Sequence, residues 1–306
     1  MSSQPPLAFT KMHGLGNDFV IIDLRQSSVP PQGGRLPPHL IKALGDRHQG
    51  VGCDQLVMLN HPTLEGADVL VRFYNPDGSE AGACGNASRC VAKMECARLG
   101  RDAVTLQTAR GLLPARRLEG GLVEVAMGRP LLAGSDVPLA PDKQGQATDF
   151  MTVEALGQQL EGGACSMGNP HFTVFSPLNL DEGQLAALGA ALEHHPLFPE
   201  RANIGFAKVI GPHRLQLKVW ERGTGFTPAC GSGACAAAVN AIRRGVVARD
   251  QPCEVAMEHG ALLVDWPSDS APVLMTGPAV TVFEGVLSPA GLAQQTGAAK
   301  GRSHHD

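Results

Sequence analysis

The pattern of apolar and polar positions along the 306-residue chain predicts many short strands and few helices. Runs rich in Val, Ile and Leu are typical of strands, because β-branched side chains pack well on a pleated sheet. The predicted strands cover residues 19–24, 56–59, 69–75, 104–108, 122–127, 172–175, 206–210, 215–221, 255–265 and 273–284. The predicted helices cover residues 38–45, 87–99, 183–193 and 232–244. This mixture predicts an α/β (α+β) fold.

One arrangement of a strand, a glycine-bearing turn and a Cys-Gly pair occurs twice in the chain. The first strand ends at Asn75, and Cys84 follows nine residues later. The second strand ends at Glu221, and Cys230 also follows after nine residues. Each Cys-Gly pair precedes an Ala-rich stretch that ends at a glycine, where helices commonly finish in the left-handed conformation. The two segments therefore match in order and in spacing.

A further pair of matching segments lies upstream of the two Cys-Gly pairs. Residues 16–19 (GNDF) resemble residues 168–171 (GNPH), and their offset is nearly the offset between the two Cys-Gly pairs. Ordered matches at nearly one offset indicate a duplicated sequence, in which each copy forms one structural unit. We therefore expect two homologous halves, each carrying one of the two matched cysteines.

A thiol at the start of a helix is suited to proton transfer. The first N–H groups of a helix have no intrahelical partner and carry partial positive charge, which favours a thiolate and can hold a carboxylate. Residues 84–86 (CGN) and 230–232 (CGS) place such a thiol beside a glycine, which lets the backbone approach a ligand closely. Two halves that face each other would bring one thiol to each face of a carbon centre, so that one removes a proton and the other returns it.

The composition and charge of the chain exclude several classes of protein. The formal net charge is −4 and the pI is near 6.3, so the basic patch that nucleic acid requires is not expected. No apolar run reaches about 18 residues, and the start of the chain lacks an apolar signal core, so we expect a cytoplasmic protein without a membrane span. Residues 289–306 are small and polar without periodicity, which predicts a disordered tail.

The eight cysteines do not form a recognisable metal or disulfide pattern. Their spacings lack the paired C-x2-C of a structural zinc site, and a long, core-rich chain does not need a disulfide framework. We therefore expect no metal, and we expect the cysteines outside the two matched positions to pack as small buried groups. These cysteines are Cys53, Cys90, Cys96, Cys165, Cys235 and Cys253.

Four segments of the chain resemble the diaminopimelate epimerase family. Residues 75–89 (NPDGSEAGACGNASR) are similar to its first signature, and residues 221–233 (ERGTGFTPACGSG) are similar to its second catalytic segment. Residues 11–19 (KMHGLGNDF) resemble its N-terminal motif, and residues 168–171 (GNPH) resemble a fourth motif. The resemblance covers about residues 8–286.

The resemblance implies an isomerase that interconverts LL- and meso-2,6-diaminopimelate without pyridoxal phosphate, any other cofactor or a metal, in lysine and peptidoglycan biosynthesis. It implies two pseudo-symmetric halves, each a curved, mostly antiparallel sheet around a central helix. The first half would comprise residues 1–128 plus about 276–288, and the second half residues 129–275. It also implies a homodimer, because Phe283 resembles an aromatic position that is linked to dimer contacts.

The resemblance also assigns roles to single residues. Cys84 and Cys230 match the two acid/base thiols, while His171 and Glu221 resemble groups that tune these thiols. The positions that match substrate contacts are Asn17, Gln55, Asn75, Gly85, Asn86, Asn169, Asn203, Glu221, Arg222, Gly231 and Ser232.

Three alternative functions stay open at this point. A proline- or hydroxyproline-type racemase or epimerase of the same two-thiol fold would carry His after the first Cys-Gly pair, where this chain carries Asn86. A non-catalytic protein that binds an amino acid is the second alternative, and it would not need a thiol at both matched positions. A zinc-binding or redox-sensing protein is a third class, which metal analysis would distinguish.

Overall fold

The computed structural model describes residues 6–26, 34–176 and 180–287. The tail predicted at residues 289–306 lies outside this part of the chain. The chain forms two compact units. Unit 1 comprises the described residues up to Val123 together with those from Pro278 onward, and unit 2 comprises Glu124–Gly277.

The described residues contain eighteen strands and four α-helices. The strands are β1 (Leu7–Gly14), β2 (Asn17–Asp23), β3 (Gln55–Asn60), β4 (Val69–Tyr74), β5 (Glu80–Ala81), β6 (Ala103–Thr108), β7 (Gly111–Arg117), β8 (Val123–Ala126), β9 (Met151–Ala155), β10 (Gln158–Ser166), β11 (Pro170–Val174), β12 (Asn203–Gly211), β13 (Arg214–Glu221), β14 (Gly225–Thr227), β15 (Cys253–Met257), β16 (Gly260–Asp265), β17 (Leu274–Gly277) and β18 (Val280–Leu287). The helices are α1 (Pro38–Gly45), α2 (Gly85–Leu99), α3 (Glu182–Glu193) and α4 (Gly231–Arg243). Within the described ranges, no helix is both long and apolar enough to cross a membrane.

The sheet of unit 1 contains strands that are distant in the sequence. Its neighbouring strands follow the order β18–β1–β2–β3–β4–β6–β7, and the short β5 pairs with β4. The pairs β2–β3 and β4–β6 are parallel, and the other pairs are antiparallel. Because parallel neighbours need a long connection, the chain leaves the sheet between β4 and β6 and forms α2 there.

The sheet of unit 2 repeats this succession of pairs. Its order is β9–β10–β11–β12–β13–β15–β16–β17, with β14 on β13 and β8 on β17. The pairs β11–β12 and β13–β15 are parallel, as β2–β3 and β4–β6 are in unit 1, and α4 lies between β13 and β15 in the sequence. The predicted α/β (α+β) fold with mostly antiparallel strands is thus confirmed.

Helices α2 and α4 are the helices that the two sheets contact most extensively. Helix α2 packs against β1, β2, β6 and β7, and α4 packs against β10 to β13, β15 and β16. Almost every residue of α4 is buried, and most of these residues are small, so the sheet can approach the helix from several sides. Helix α2 is followed by its C-cap Gly100 (φ 65°), and α4 is followed by Gly245 (φ 69°), which confirms the left-handed glycines predicted after both helices.

Candidate active site

The first matched thiol is the N-cap of α2. Cys84 has an extended backbone (φ −148°, ψ 110°), and its half-buried sulfur accepts the N–H of Ala87 at 3.5 Å. The first intrahelical hydrogen bond runs from Ser88 N to Cys84 O at 2.9 Å, so the N–H groups of Gly85 and Asn86 precede it. The sulfur therefore lies in the positive field of the helix N-terminus, which favours a thiolate and can also hold an anion.

Asn17, at the start of β2, links Cys84 to the surrounding polar groups. Its Oδ1 lies 3.9 Å from Cys84 Sγ and accepts the side-chain Nδ2 of Asn86 at 3.2 Å. Its Nδ2 donates to Asp54 Oδ2 at 2.9 Å. The structure thus brings together three predicted residues, Cys84, Asn17 and Asn86. It adds Asp54, which was not predicted because no motif or spacing distinguished it.

Gln55 and Asn75 form a second group of predicted residues in unit 1. They are neighbours on β3 and at the end of β4, and Gln55 Nε2 donates to Asn75 Oδ1 at 3.1 Å. Asn75 Nδ2 in turn donates to Ser79 Oγ at 3.0 Å. Gln55 Oε1 is buried and accepts no hydrogen bond within the described residues. Such an acceptor is costly when it is left without a donor, and a donor group on a ligand would satisfy it.

The second matched thiol is the N-cap of α4. Cys230 has an extended backbone (φ −122°, ψ 109°) and is buried, and its sulfur accepts the N–H of Gly233 at 3.4 Å. A Cβ on Gly233 would lie 2.9 Å from Val219 Cγ2 and 3.2 Å from Cys230 Sγ, so this position requires glycine. Ala234 N bonds Cys230 O at 2.9 Å, and the N–H groups of residues 231 and 232 therefore precede the first intrahelical bond.

Three predicted residues form a chain of contacts that leads to Cys230. Ser232 Oγ lies 3.6 Å from Cys230 Sγ, and Asn169 Nδ2 donates to Ser232 Oγ at 3.5 Å. The buried His171 has its Nε2 3.1 Å from Asn169 Oδ1. His171 is thus connected to the thiol through Asn169 and Ser232.

Glu221, the last residue of β13, changes the electrostatics of the second thiol. Its Oε1 accepts the hydroxyl of Thr227 at 2.5 Å. Burial raises the pKa of the Cys230 thiol well above its usual value, and the negative charge of Glu221 raises this pKa further. Hydrogen bonds from Ser232 and from the N–H of Gly233 oppose the shift. Burial and the charge of Glu221 therefore both favour the neutral thiol of Cys230.

Arg222 and Asn203 are joined at the turn that follows β13. Asn203 Oδ1 accepts the backbone N–H of Arg222 at 2.9 Å, and Asn203 Nδ2 donates to Pro170 O at 3.1 Å. The guanidinium of Arg222 donates to Glu200 O at 2.9 Å. The polar side chain of Asn203 therefore fixes the backbone of the segment that carries Glu221 and Arg222.

Glu193, at the end of α3, holds the same turn from another side. The buried carboxylate accepts Trp220 Nε1 at 2.8 Å and Gly223 N at 2.9 Å, and it pairs with Arg201 at 3.4 Å. The sequence did not point to Glu193, because its partners on β13 and the turn are about 30 residues away. A buried charge with several donors is usually retained for its hydrogen bonds rather than for its own burial.

The other six cysteines are all buried, as predicted. Burial raises the pKa of Cys53 and Cys253 to about 11, and that of Cys90 and Cys165 to about 12. Thiols that stay protonated to such pH values are poor nucleophiles and poor bases, which agrees with a packing role. Among the eight, Cys84 differs in being only half-buried.

Phe283 lies on β18 of unit 1, where its partner in the strand register is Lys11 of β1. The side chain is 47% exposed, and its ring centroid is 5.9 Å from that of Phe9 in an edge-to-face arrangement. Its neighbours Val280, Val282 and Val286 are also exposed. The structure therefore places Phe283 on an apolar surface of unit 1.

Solved structures of epimerases and isomerases share this fold. A hydroxyproline epimerase from Agrobacterium vitis, with bound trans-4-OH-L-proline, has a TM-score of 0.66 at 15% identity, and the match covers 95% of this chain and 96% of that chain. A methylitaconate-delta-isomerase has a TM-score of 0.66 at 14% identity over 100% of both chains. The chain therefore shares the fold of this class of structures, whose named members include an epimerase and an isomerase.

Sequence comparison identifies the family within this class. The model of the family described as diaminopimelate epimerase matches residues 9–132 and 163–282. A diaminopimelate epimerase from Gluconobacter oxydans is 55% identical over 92% of this chain and 99% of its own length. One from Acidiphilium cryptum is 48% identical over 93% of this chain and 98% of its own length. The chain belongs to the diaminopimelate epimerase family.

Proposed function

We propose that this protein is an isomerase that interconverts LL- and meso-2,6-diaminopimelate by moving a proton at the α-carbon. The names of the relatives from Gluconobacter oxydans and Acidiphilium cryptum support this substrate. One observation carries the chemistry: α2 and α4 each begin at a cysteine N-cap, at equivalent points of two sheets with the same succession of strand pairs. A binding protein would have no need for a thiol at both points.

In the proposed reaction, Cys84 and Cys230 act on opposite faces of one α-carbon. One cysteine, as a thiolate, takes the α-proton, and the electron pair of the broken C–H bond stays on carbon. The other cysteine, as a thiol, donates its proton to the opposite face, which inverts the centre and leaves the two sulfurs with exchanged protonation. The reverse reaction uses the same pair in exchanged roles.

The starts of α2 and α4 are proposed to hold the α-carboxylate. Their N–H groups before the first intrahelical bond donate to anions, and negative charge on the carboxylate increases as the carbanion forms. The residues that would provide these groups are Gly85, Asn86, Gly231 and Ser232. Base, acid and carboxylate stabilisation then all come from the chain, so the proposal requires no cofactor or metal.

Burial and the charge of Glu221 support an assignment of the proton donor and the proton acceptor. Because both raise the pKa of Cys230, this residue is proposed to be the proton donor in the resting state, and Cys84 the proton acceptor. His171 and Ser232 would set the hydrogen bonds around Cys230. The side chains proposed to bind the polar groups of the substrate are Asn17, Gln55, Asn75, Asn169, Asn203, Glu221 and Arg222.

The proposal extends to the location and assembly of the protein. We propose that it acts in the cytoplasm, where it would supply lysine and peptidoglycan synthesis. We also propose that it forms a homodimer, which the exposed apolar residues of β18, including Phe283, support.

Isotope exchange tests the reaction directly. Purified protein incubated with LL-diaminopimelate in D2O under reducing conditions should incorporate deuterium at the α-carbon and form the meso product. Parallel incubations with L-proline and trans-4-hydroxy-L-proline should show no exchange. Binding of LL-diaminopimelate without exchange would contradict catalysis, and faster exchange with either proline would contradict the proposed substrate.

Alanine variants test the two-thiol mechanism. Cys84→Ala and Cys230→Ala should each lower kcat at least about 100-fold, because each removes an acid/base group. Cys90→Ala and Cys235→Ala are matched controls, since they change a buried cysteine on the same two helices and should retain near-normal rates. Circular dichroism confirms folding of all four. Near-normal activity of either N-cap variant would rule out the mechanism.

A further inference from the structure

Asp54 determines which end of the Asn17 amide faces the Cys84 thiol. Asn17 Nδ2 donates to Asp54 Oδ2 at 2.9 Å, while Asn17 Oδ1 lies 3.9 Å from Cys84 Sγ and accepts Asn86 Nδ2 at 3.2 Å. A carboxylate accepts hydrogen bonds and has no hydrogen to donate, so only the NH2 end of the amide can face Asp54. The oxygen of Asn17 must then face the sulfur.

The carboxylate of Asp54 is itself held by charged and backbone groups. Its Oδ2 also accepts Asp18 N at 3.0 Å, and its Oδ1 accepts the guanidinium of Arg47 at 2.7 Å. Asp54 N donates to Asp18 Oδ1 at 2.9 Å in return. Asp18 binds the same guanidinium at 2.7 Å and Lys11 Nζ at 2.6 Å. These contacts hold the Asp54 carboxylate in place. The carboxylate in turn keeps the NH2 end of the Asn17 amide turned toward it.

The equivalent amide of unit 2 has the opposite arrangement. Asn169 has its oxygen beside His171 Nε2, at 3.1 Å, and its NH2 end faces Ser232 Oγ at 3.5 Å. An amide nitrogen therefore points toward the Cys230 side in unit 2, whereas an amide oxygen points toward Cys84 in unit 1. Among these contacts, a carboxylate binds the amide of Asn17 in unit 1, whereas His171 and Ser232 contact the amide of Asn169 in unit 2.

We propose that Asp54 is a positioning residue for Cys84, which acts by orienting Asn17 so that an acceptor faces the thiol. An oxygen acceptor can accept the S–H hydrogen but cannot stabilise S⁻, so this orientation opposes the field of the α2 N-terminus, which favours the thiolate. It lowers the fraction of Cys84 that is ionised and leaves its proposed role as proton acceptor in place. The inference deepens the proposed function, because it rests on Cys84 as an acid/base group. Asp54 itself is not proposed to touch the reacting atoms.

Alkylation of Cys84 without substrate measures this effect. Iodoacetamide reacts with the thiolate, and mass spectrometry of the Cys84 peptide separates this residue from the other seven cysteines over a range of pH. Asp54→Leu frees Asn17 to turn its NH2 end toward the sulfur. Alkylation of Cys84 near pH 7 should then be about threefold faster or more, and its pH profile should shift to lower pH by about half a unit.

A double-mutant cycle separates an effect through Asn17 from a direct effect of charge. In the Asn17→Ala background Asp54 has no amide to orient. Asp54→Leu should then change the alkylation rate of Cys84 by less than about 1.5-fold. An equal effect in both backgrounds would overturn the proposal, because the lost carboxylate would then act on Cys84 directly. Absence of any effect in the wild-type background would overturn it as well.

Two further variants keep the test decisive. Asp54→Asn keeps the size of the side chain but leaves one oxygen for three donors, so it should shift alkylation in the same direction if Asp54→Leu does not fold. Asp102→Asn removes an exposed carboxylate of unit 1 that pairs with Arg117, and it should leave the alkylation unchanged. Because no substrate is present, the cycle is informative even if the protein does not epimerise diaminopimelate.

Discussion

The buried thiol of Cys90 makes stability depend on alkaline pH. Burial raises its pKa to about 12, whereas the thiol of an unfolded chain ionises near 9.0. Below pH 9 the thiol is protonated in both states. Above pH 9 unfolding releases its proton, so the free energy of unfolding falls as the pH rises toward the folded pKa.

The variant Cys90→Ala should therefore lose less stability on going from pH 7 to pH 10 than the wild type. The expected difference is about 1 kcal/mol, which urea denaturation at the two pH values measures. Val91→Ala is the matched control, because Val91 is equally buried on the same helix and does not titrate. Its destabilisation should be similar at both pH values. An identical pH dependence of Cys90→Ala and wild type would show that the ionisation of Cys90 does not cause the loss of stability at alkaline pH.

Single residues differ in how far the sequence reveals their roles. Cys84 and Cys230 stand out from the other cysteines because they occupy matched positions of a duplicated sequence. Asp54 and Glu193 do not stand out, because the partners that give them their roles, Asn17 and Gly223, lie 37 and 30 residues away and are brought near by the fold. An isolated acidic residue most often lies on a solvated surface, so its sequence context carries no signal.

At the scale of elements, helix α3 supports the turn that carries Glu221 and Arg222. Glu193→Gln leaves an amide with one oxygen where the carboxylate accepts Trp220 Nε1 and Gly223 N. We expect a loss of about 1–3 kcal/mol in the free energy of unfolding, since a buried donor loses its acceptor. We also expect a higher KM for diaminopimelate, with a smaller change in kcat, because the turn would hold Arg222 less firmly.

Glu182→Gln provides the matched control on the same helix. The Glu182 side chain is 78% exposed and pairs with Lys218, and an exposed pair contributes little to stability. Urea denaturation should place this variant within about 0.5 kcal/mol of the wild type, with KM unchanged. If Glu193→Gln had the same KM as Glu182→Gln, the supporting role of α3 would be wrong.

The helices were predicted more closely than the strands. The predicted segment 38–45 matches α1, and the predicted segment 183–193 misses one residue of α3. The predicted strand at 255–265 is instead two strands, β15 and β16, with a turn between Met257 and Gly260. Glu258, His259 and Gly260 interrupt the apolar run at that hairpin, and the single predicted strand overlooked this polar turn. Strand β1 was not predicted, because its polar residues interrupt the pattern and its strand conformation depends on pairing with β2 and β18.

At the scale of the whole molecule, the repeated sequence corresponds to a repeated topology. Each unit has an antiparallel pair, a parallel pair, a second antiparallel pair and a second parallel pair in the same order, with the thiol-capped helix at the same place in that order. The order of strands is set by contacts far apart in the sequence, so the sequence could predict that two halves match but not which strands pair. The residue boundaries of the two halves as homologous copies stay a prediction.

Strand β18 is the element of unit 1 that most clearly suggests assembly. It pairs with β1 along one edge, and no described residue pairs with its other edge. Val282, Phe283 and Val286 are 55%, 47% and 67% exposed, respectively. An exposed apolar edge strand is a template for pairing with another chain, and soluble proteins usually cover it.

We therefore expect the wild-type protein to sediment as a homodimer at micromolar concentration. Val282→Lys should shift the equilibrium toward the monomer, because a charge would be buried in the contact. Val209→Lys is the control, since Val209 is 41% exposed on β12 of unit 2 and should leave the dimer intact. Sedimentation velocity over a hundredfold range of concentration measures both. A wild-type protein that stays monomeric throughout, or a Val282→Lys dimer of unchanged affinity, would show that β18 is not the contact surface.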